Sequence, residues 1–159
     1  MFKPLMLCAA LMGAGMAMAQ TNVALGGITV DTTAAIEVTA DSLSVDQETG
    51  RAVFDGNVLI AQGDLRLSAG MVEVVYGAEA NEIARLLATG GVTLATANEA
   101  AEAQEADYDT NTGLLTLTGE VLLTQGASAI SAGSMVINVA DGTATMEGRV
   151  RTVLQQGDN

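Results

Sequence analysis

The sequence predicts an all-β, single-domain fold of stacked antiparallel strands, and three observations carry that prediction. Apolar and polar residues alternate over most of the chain beyond Ile36, with the period of two that a strand buried on one face requires. The stretch from Gly50 to Tyr76 returns without gaps, sixty-three residues later, from Gly113 to Val139. Self-similarity at a fixed period means stacked units that share one continuous core. Finally, a Gly-x-Val triplet follows each turn signal, starting at Gly56, Gly90, Gly119 and Gly148 with separations of 34, 29 and 29 residues. Four rungs of similar contour result.

The elements follow in order. Residues 1–19 combine Lys3, an apolar run from Leu5 to Met18 and Ala17-Met18-Ala19 before Gln20, the pattern of a cleaved signal peptide. The run is too short to span a bilayer comfortably, and Cys8, the one cysteine, leaves with it. No disulfide is expected. Residues 20–35 are small and weakly patterned and read as a flexible leader with at most one short strand, at Ile28 to Val30. The ordered domain is expected over 36–154 and a disordered tail over 155–159.

Within that domain, Ile36, Val38 and Ala40, then Leu43 and Val45, alternate with a slip near Asp41. The loop DQETG leads into Ala52, Phe54, Val58 and Ile60, and Gln62-Gly63-Asp64 breaks the run before Leu65 and Leu67. Val72, Val74 and Tyr76 make the next strand. Residues 78–107 are rich in Ala, Glu, Leu and Arg, which favour helix by local propensity. Register favours strand, because Leu86, Ala88, Gly90, Val92 and Leu94 take the phase of Ala52, Phe54, Gly56, Val58 and Ile60. The second copy of the repeat ends in Ala140-Asp141-Gly142, a hairpin signal, with Ala144, Met146, Gly148 and Val150 beyond it.

Each triplet glycine falls on the apolar phase of its strand. A glycine there marks a bend, a bulge or a close backbone approach. Stacked in register, Gly56, Gly90, Gly119 and Gly148 form a crease along which the sheet folds over its apolar face; alternatively each relieves crowding in a packed β-sandwich. The first and last rungs should present open edge strands, which recruit further strands unless leader and tail fold over them. Pairing of one molecule's last rung with another's first is heterologous and extends into filaments.

Composition excludes several functions. The formal net charge is −13, and a surface this acidic repels phosphate backbones, so no nucleic acid is expected as partner. Histidine and tryptophan are absent, and aromatics are scarce. Without His or a mature Cys the usual general base and soft metal ligands are missing; no metal, cofactor or catalytic residue is expected. The carboxylate pairs Asp107 with Asp109 and Asp46 with Glu48 each sit in a turn signal, which explains them without catalysis.

Several motifs taken in order carry a resemblance: Ala-Asp-x-Leu-x-Val-Asp at 40–46, Phe-x-Gly-Asn-Val at 54–58, Gln-Gly-Asp at 62–64 and Tyr-Asp-x-x-Thr-Gly…Leu-x-Gly-x-Val at 108–121. Over residues 36 to 154 the chain resembles the LptA/OstA family of periplasmic lipopolysaccharide-transport proteins. The resemblance implies a V-shaped twisted β-jellyroll with an open lipid groove. It also implies periplasmic location and head-to-tail assembly with copies of itself into a bridge from an inner-membrane transporter complex partner with a similar jellyroll to an outer-membrane translocon. Lipopolysaccharide would be bound by its lipid A acyl chains.

Under that reading the groove wall is the inward phase of the creased strands: Phe54, Val58, Ile60, Leu65, Leu67, Val72, Val74, Leu86, Val92, Leu94, Leu117, Val121, Leu123, Ile130, Met135, Ile137, Met146 and Val150. Some of these touch lipid and the rest are plain core. The acidic surface argues against a cationic grip on lipid phosphates, which are expected to project into solvent. A structural or adhesive β-solenoid without lipid cargo is the alternative.

Overall fold

The computed structural model describes residues 23–24, 31–79 and 81–155. The expected signal peptide and the expected strand at Ile28 to Val30 lie outside the described residues. Every regular element among them is a strand: β1 (Val23–Ala24), β2 (Glu37–Thr39), β3 (Ser42–Asp46), β4 (Arg51–Gln62), β5 (Leu65–Tyr76), β6 (Ile83–Thr89), β7 (Val92–Ala95), β8 (Glu99–Ala103), β9 (Glu105–Asp109), β10 (Leu114–Gln125), β11 (Ser128–Asn138), β12 (Thr143–Glu147) and β13 (Arg151–Val153). All pairings are antiparallel within one thirteen-stranded sheet. The helix-favouring stretch 78–107 is strand, as its register required, because propensity is a weak prior that tertiary pairing overrides.

The sheet folds into two leaves. One leaf runs β3, 51–55 of β4, 71–76 of β5, β6, β9, 114–118 of β10, 134–138 of β11, β12 and β1. The other runs β2, 58–62 of β4, 65–69 of β5, β7, β8, 121–125 of β10, 128–132 of β11 and β13. Strands β4, β5, β10 and β11 therefore belong to both leaves and turn the corner between them.

The corner is the predicted crease, and it contains more than the four triplet glycines. Asp41, Gly56, Gly70, Gly90, Gln104, Gly119, Gly133 and Gly148 form one column across the sheet, joined by Asp41 N–H to Gly56 O at 2.8 Å, Gln104 N–H to Gly119 O at 3.1 Å and Gly133 N–H to Gly148 O at 2.7 Å. At each triplet the chain takes two successive left-handed residues: Gly56 and Asn57 have φ of 82° and 47°, and Gly119 and Glu120 repeat this at 83° and 48°. The ladders of β4 with β5 and of β10 with β11 shift register there, so each corner is a bulge that re-aims the strand. Gly70 and Gly90 are needed for a second reason. A Cβ on Gly90 would lie 3.2 Å from the Gly70 Cα, and one on Gly70 would lie 3.2 Å from the Gly90 carbonyl oxygen.

The sixty-three-residue repeat survives in detail at the corner. Asn57 Nδ2 donates to Asp41 Oδ2 at 2.8 Å, and in the second copy Gln104 Nε2 reaches Glu120 Oε2 at 3.4 Å.

One expectation is corrected. Open edges were expected at both ends of the jellyroll, yet the last edge of one leaf is covered: Val23 and Ala24 of the leader pair with Ala144 and Thr143 of β12. The leader thus contributes a strand, located at Val23–Ala24. Strands β2, β3 and β13 each pair on one side alone among the described residues.

Candidate lipid-binding cleft between the leaves

Alternation places one face of every strand between the leaves. Val58, Val72, Val74, Leu94, Leu117, Val121, Leu123, Met135 and Ile137 are almost wholly excluded from solvent. Ile60, Leu65, Leu67, Leu86 and Val92 are also buried in this cluster. Phe54, Ile130 and Met146 are partly buried against it. Val150 departs from the expected wall: it lies outside any strand and is 49% exposed.

Several inward residues were not among the expected wall. Ala52, Ala88 and Ala144, which stand on the apolar phase of the sequence, are buried, as are Ala69, Ala101, Ala106 and Ala132. Leu115, Tyr108 and Val139 are also buried in the cluster. The two-residue alternation through Leu115 and Leu117 could have found the first of these.

The leaves meet closely, and the space remaining between them is an apolar cavity of about 20 Å³. Ile60, Leu65, Leu86, Tyr108 and Val139 line it, and Ile36 of the segment entering β2 closes it. That segment is held by Gln62, whose Nε2 donates to Ala34 O at 3.2 Å. Burial pushes the Tyr108 phenol above its usual pKa.

At the position equivalent to Ile36 in the second copy stands Glu99, 4% exposed. Its Oε1 accepts from Gln125 Nε2 at 2.6 Å, while Oε2 is buried without a partner among the described residues. Desolvation raises its pKa above the ordinary carboxylate value.

Several other charges close turns or pair across strands. Asp46 and Asp109 accept the N–H groups of the residues two and three places on, an Asx arrangement that closes each turn. The N–H of Thr49, then its hydroxyl and the Glu48 N–H, hold the Asp46 carboxyl below the usual carboxylate range. Asp107 pairs with Arg85 through two hydrogen bonds, and Arg51 pairs with Glu73 at 2.8 Å. Arg66 donates to the carbonyls of Gly63 and Leu65. These three arginines are thus dispersed and already engaged, and they form no cluster on the cleft.

The geometry can now be set beside known proteins. The chain is 27% identical over 147 residues to an uncharacterized protein of Rhizobium meliloti, covering 92% of this chain and 67% of that one. In structure it is similar to LptH, described as the LptA homologous periplasmic component of the conserved lipopolysaccharide transport device from Pseudomonas aeruginosa. The TM-score is 0.70 at 18% identity, covering 80% of this chain and 99% of that chain. That likeness shows the jellyroll fold. The family described as LptA/(LptD N-terminal domain) LPS transport protein matches residues 37–143, and the chain belongs to that family.

Proposed function

We propose that the protein carries lipopolysaccharide through the periplasm, shields its acyl chains between the two leaves, and joins head to tail with further copies into a bridge between an inner-membrane transporter complex and an outer-membrane translocon. The observation that carries this reading is the continuous apolar face between the leaves, which among the described residues leaves large apolar side chains exposed at its first and last rungs. Leu43 and Val45 stand beside Phe54 and Ala52 at one end, and they are 55% and 59% exposed. Val150 and Leu154, in phase with the inward Ile130 partner Thr152, are 49% and 71% exposed at the other.

The physical task is to hold acyl chains out of water. At about 0.8 kcal/mol per buried CH₂, exposing a twelve-carbon chain costs on the order of 9 kcal/mol. A strip continued from one copy to the next lowers that barrier all along the route. Sites of similar affinity then let cargo be pushed from the inner-membrane side, with no chemistry in this chain. Strand direction supports the stacking: β12 runs from turn to crease and β3 from crease to turn, so β3 of a second copy can extend β12 as an antiparallel neighbour. In the other leaf, β2 of that copy extends β13 in the same way.

Equilibrium binding of purified lipopolysaccharide tests the carrier reading. Phe54→Asp and Met146→Asp place a carboxylate on the inner face at sites only partly buried; both should melt cooperatively and lose at least tenfold in affinity. A wild-type protein that binds no lipopolysaccharide would overturn the reading and favour a structural or adhesive β-solenoid.

A further inference from the structure

The leader strand β1 occupies a specific seat. Continuing the antiparallel ladder beyond β12 with β3 of a second copy sets Ser42 opposite Glu147, Leu43 opposite Met146, Ser44 opposite Thr145, Val45 opposite Ala144 and Asp46 opposite Thr143. In that register Leu43 and Val45 fall on the face of Met146 and Ala144, which continues the apolar strip. The strand lengths agree, since β3 and β12 each have five residues. Within one molecule, Val23 is opposite Ala144 and Ala24 opposite Thr143, antiparallel. Val23 therefore stands in the register position of the second copy's Val45, and Ala24 in that of its Asp46.

We propose that β1 is a placeholder: it caps the last edge of its own leaf in the free protein and is exchanged for β3 of a second copy on assembly. This role presupposes the head-to-tail pairing proposed above. An unpaired edge is a template for unwanted strand addition, and a tethered strand covers it at an effective concentration on the order of mM. Its grip is short, however. Two residue pairs hold β1, whereas an incoming copy offers all five residues of β3 and, in the other leaf, β2 against the open side of β13. Exchange is then favoured only when both leaves are engaged at once, which selects a properly aligned copy over a stray strand.

The test uses Ala24→Cys with Thr143→Cys in a Cys8→Ser background, which removes the one native cysteine, and sedimentation equilibrium of the protein oxidised and reduced. The oxidised protein should form an intramolecular disulfide and stay monomeric at concentrations where the reduced protein associates. Deletion of residues 20–30, and separately Val23→Pro with Ala24→Pro, should tighten self-association at least tenfold. If no disulfide forms in the monomer, or if the locked protein associates like the reduced one, the placeholder role is overturned. If leader-deleted and intact proteins associate equally, that role alone falls and head-to-tail pairing stands. A leader-deleted protein that stays monomeric at every concentration overturns head-to-tail pairing and the placeholder with it.

Discussion

Replacing Glu99 by Gln should stabilise the protein at neutral pH, and the structure sets both the size and the pH dependence of the gain. Glu99 is buried at an inward position that the first copy of the repeat fills with Ile36, and its Oε2 is buried without a partner among the described residues. A buried polar atom left unsatisfied costs about 1–3 kcal/mol. Removing the charge while keeping an oxygen for Gln125 should recover part of this, about 1–2 kcal/mol, or ~2–6 °C in melting temperature for a domain of this size. Because burial raises the folded-state pKa above the unfolded one, the native state binds more protons between the two values. Wild-type stability therefore falls as pH rises through that window and stays reduced above it. The advantage of Glu99→Gln should be full above the folded pKa and disappear below the unfolded value of about 4.3. Glu99→Ile, copying the first rung, should behave alike. The assay is thermal unfolding across a pH series. A variant less stable than wild type at pH 7.5, or a gain independent of pH, would refute the reasoning.

Three further outcomes are expected. Gly90→Ala combines a left-handed backbone at φ 82° with a Cβ contact of 3.2 Å to the Gly70 backbone and should cost about 1–3 kcal/mol in urea unfolding; Thr89→Ala beside it should not. Leu117→Ala empties a fully buried site and should cost about 2–5 kcal/mol in the same experiment. Arg85→Ala with Asp107→Ala removes an ion pair whose side chains are 53% and 34% exposed and should leave the melting temperature unchanged within error, because water and salt screen such pairs.

The strands were legible because half-buried strands must alternate, and the repeat made the same pattern visible twice. The crease was readable at Gly56, Gly90, Gly119 and Gly148, where a left-handed corner excludes most side chains. Its other members were harder to see. Asp41, marked in the sequence only by the slip in alternation, and Gln104 join the column through backbone hydrogen bonds that any residue type can make. Glu99 was hidden inside an Ala/Glu run whose local preference is helical, and its burial follows from pairing between β8 and β10. The leader strand was missed for a related reason. Two residues have no periodicity, and Val23 meets Ala144 only because the sheet ends there. The burial of the inward residues, by contrast, followed from phase, except at Val150, which lies between β12 and β13.

The central claim is that cargo lies between the leaves. A photo-crosslinker at Ile60, 6% exposed on the inner face, and another at its outward neighbour Leu59, 41% exposed, distinguish inside from outside at adjacent positions. In the periplasm of cells making lipopolysaccharide, adducts should form at residue 60 and not at residue 59. Equal labelling at both positions, or none at either, would contradict the account.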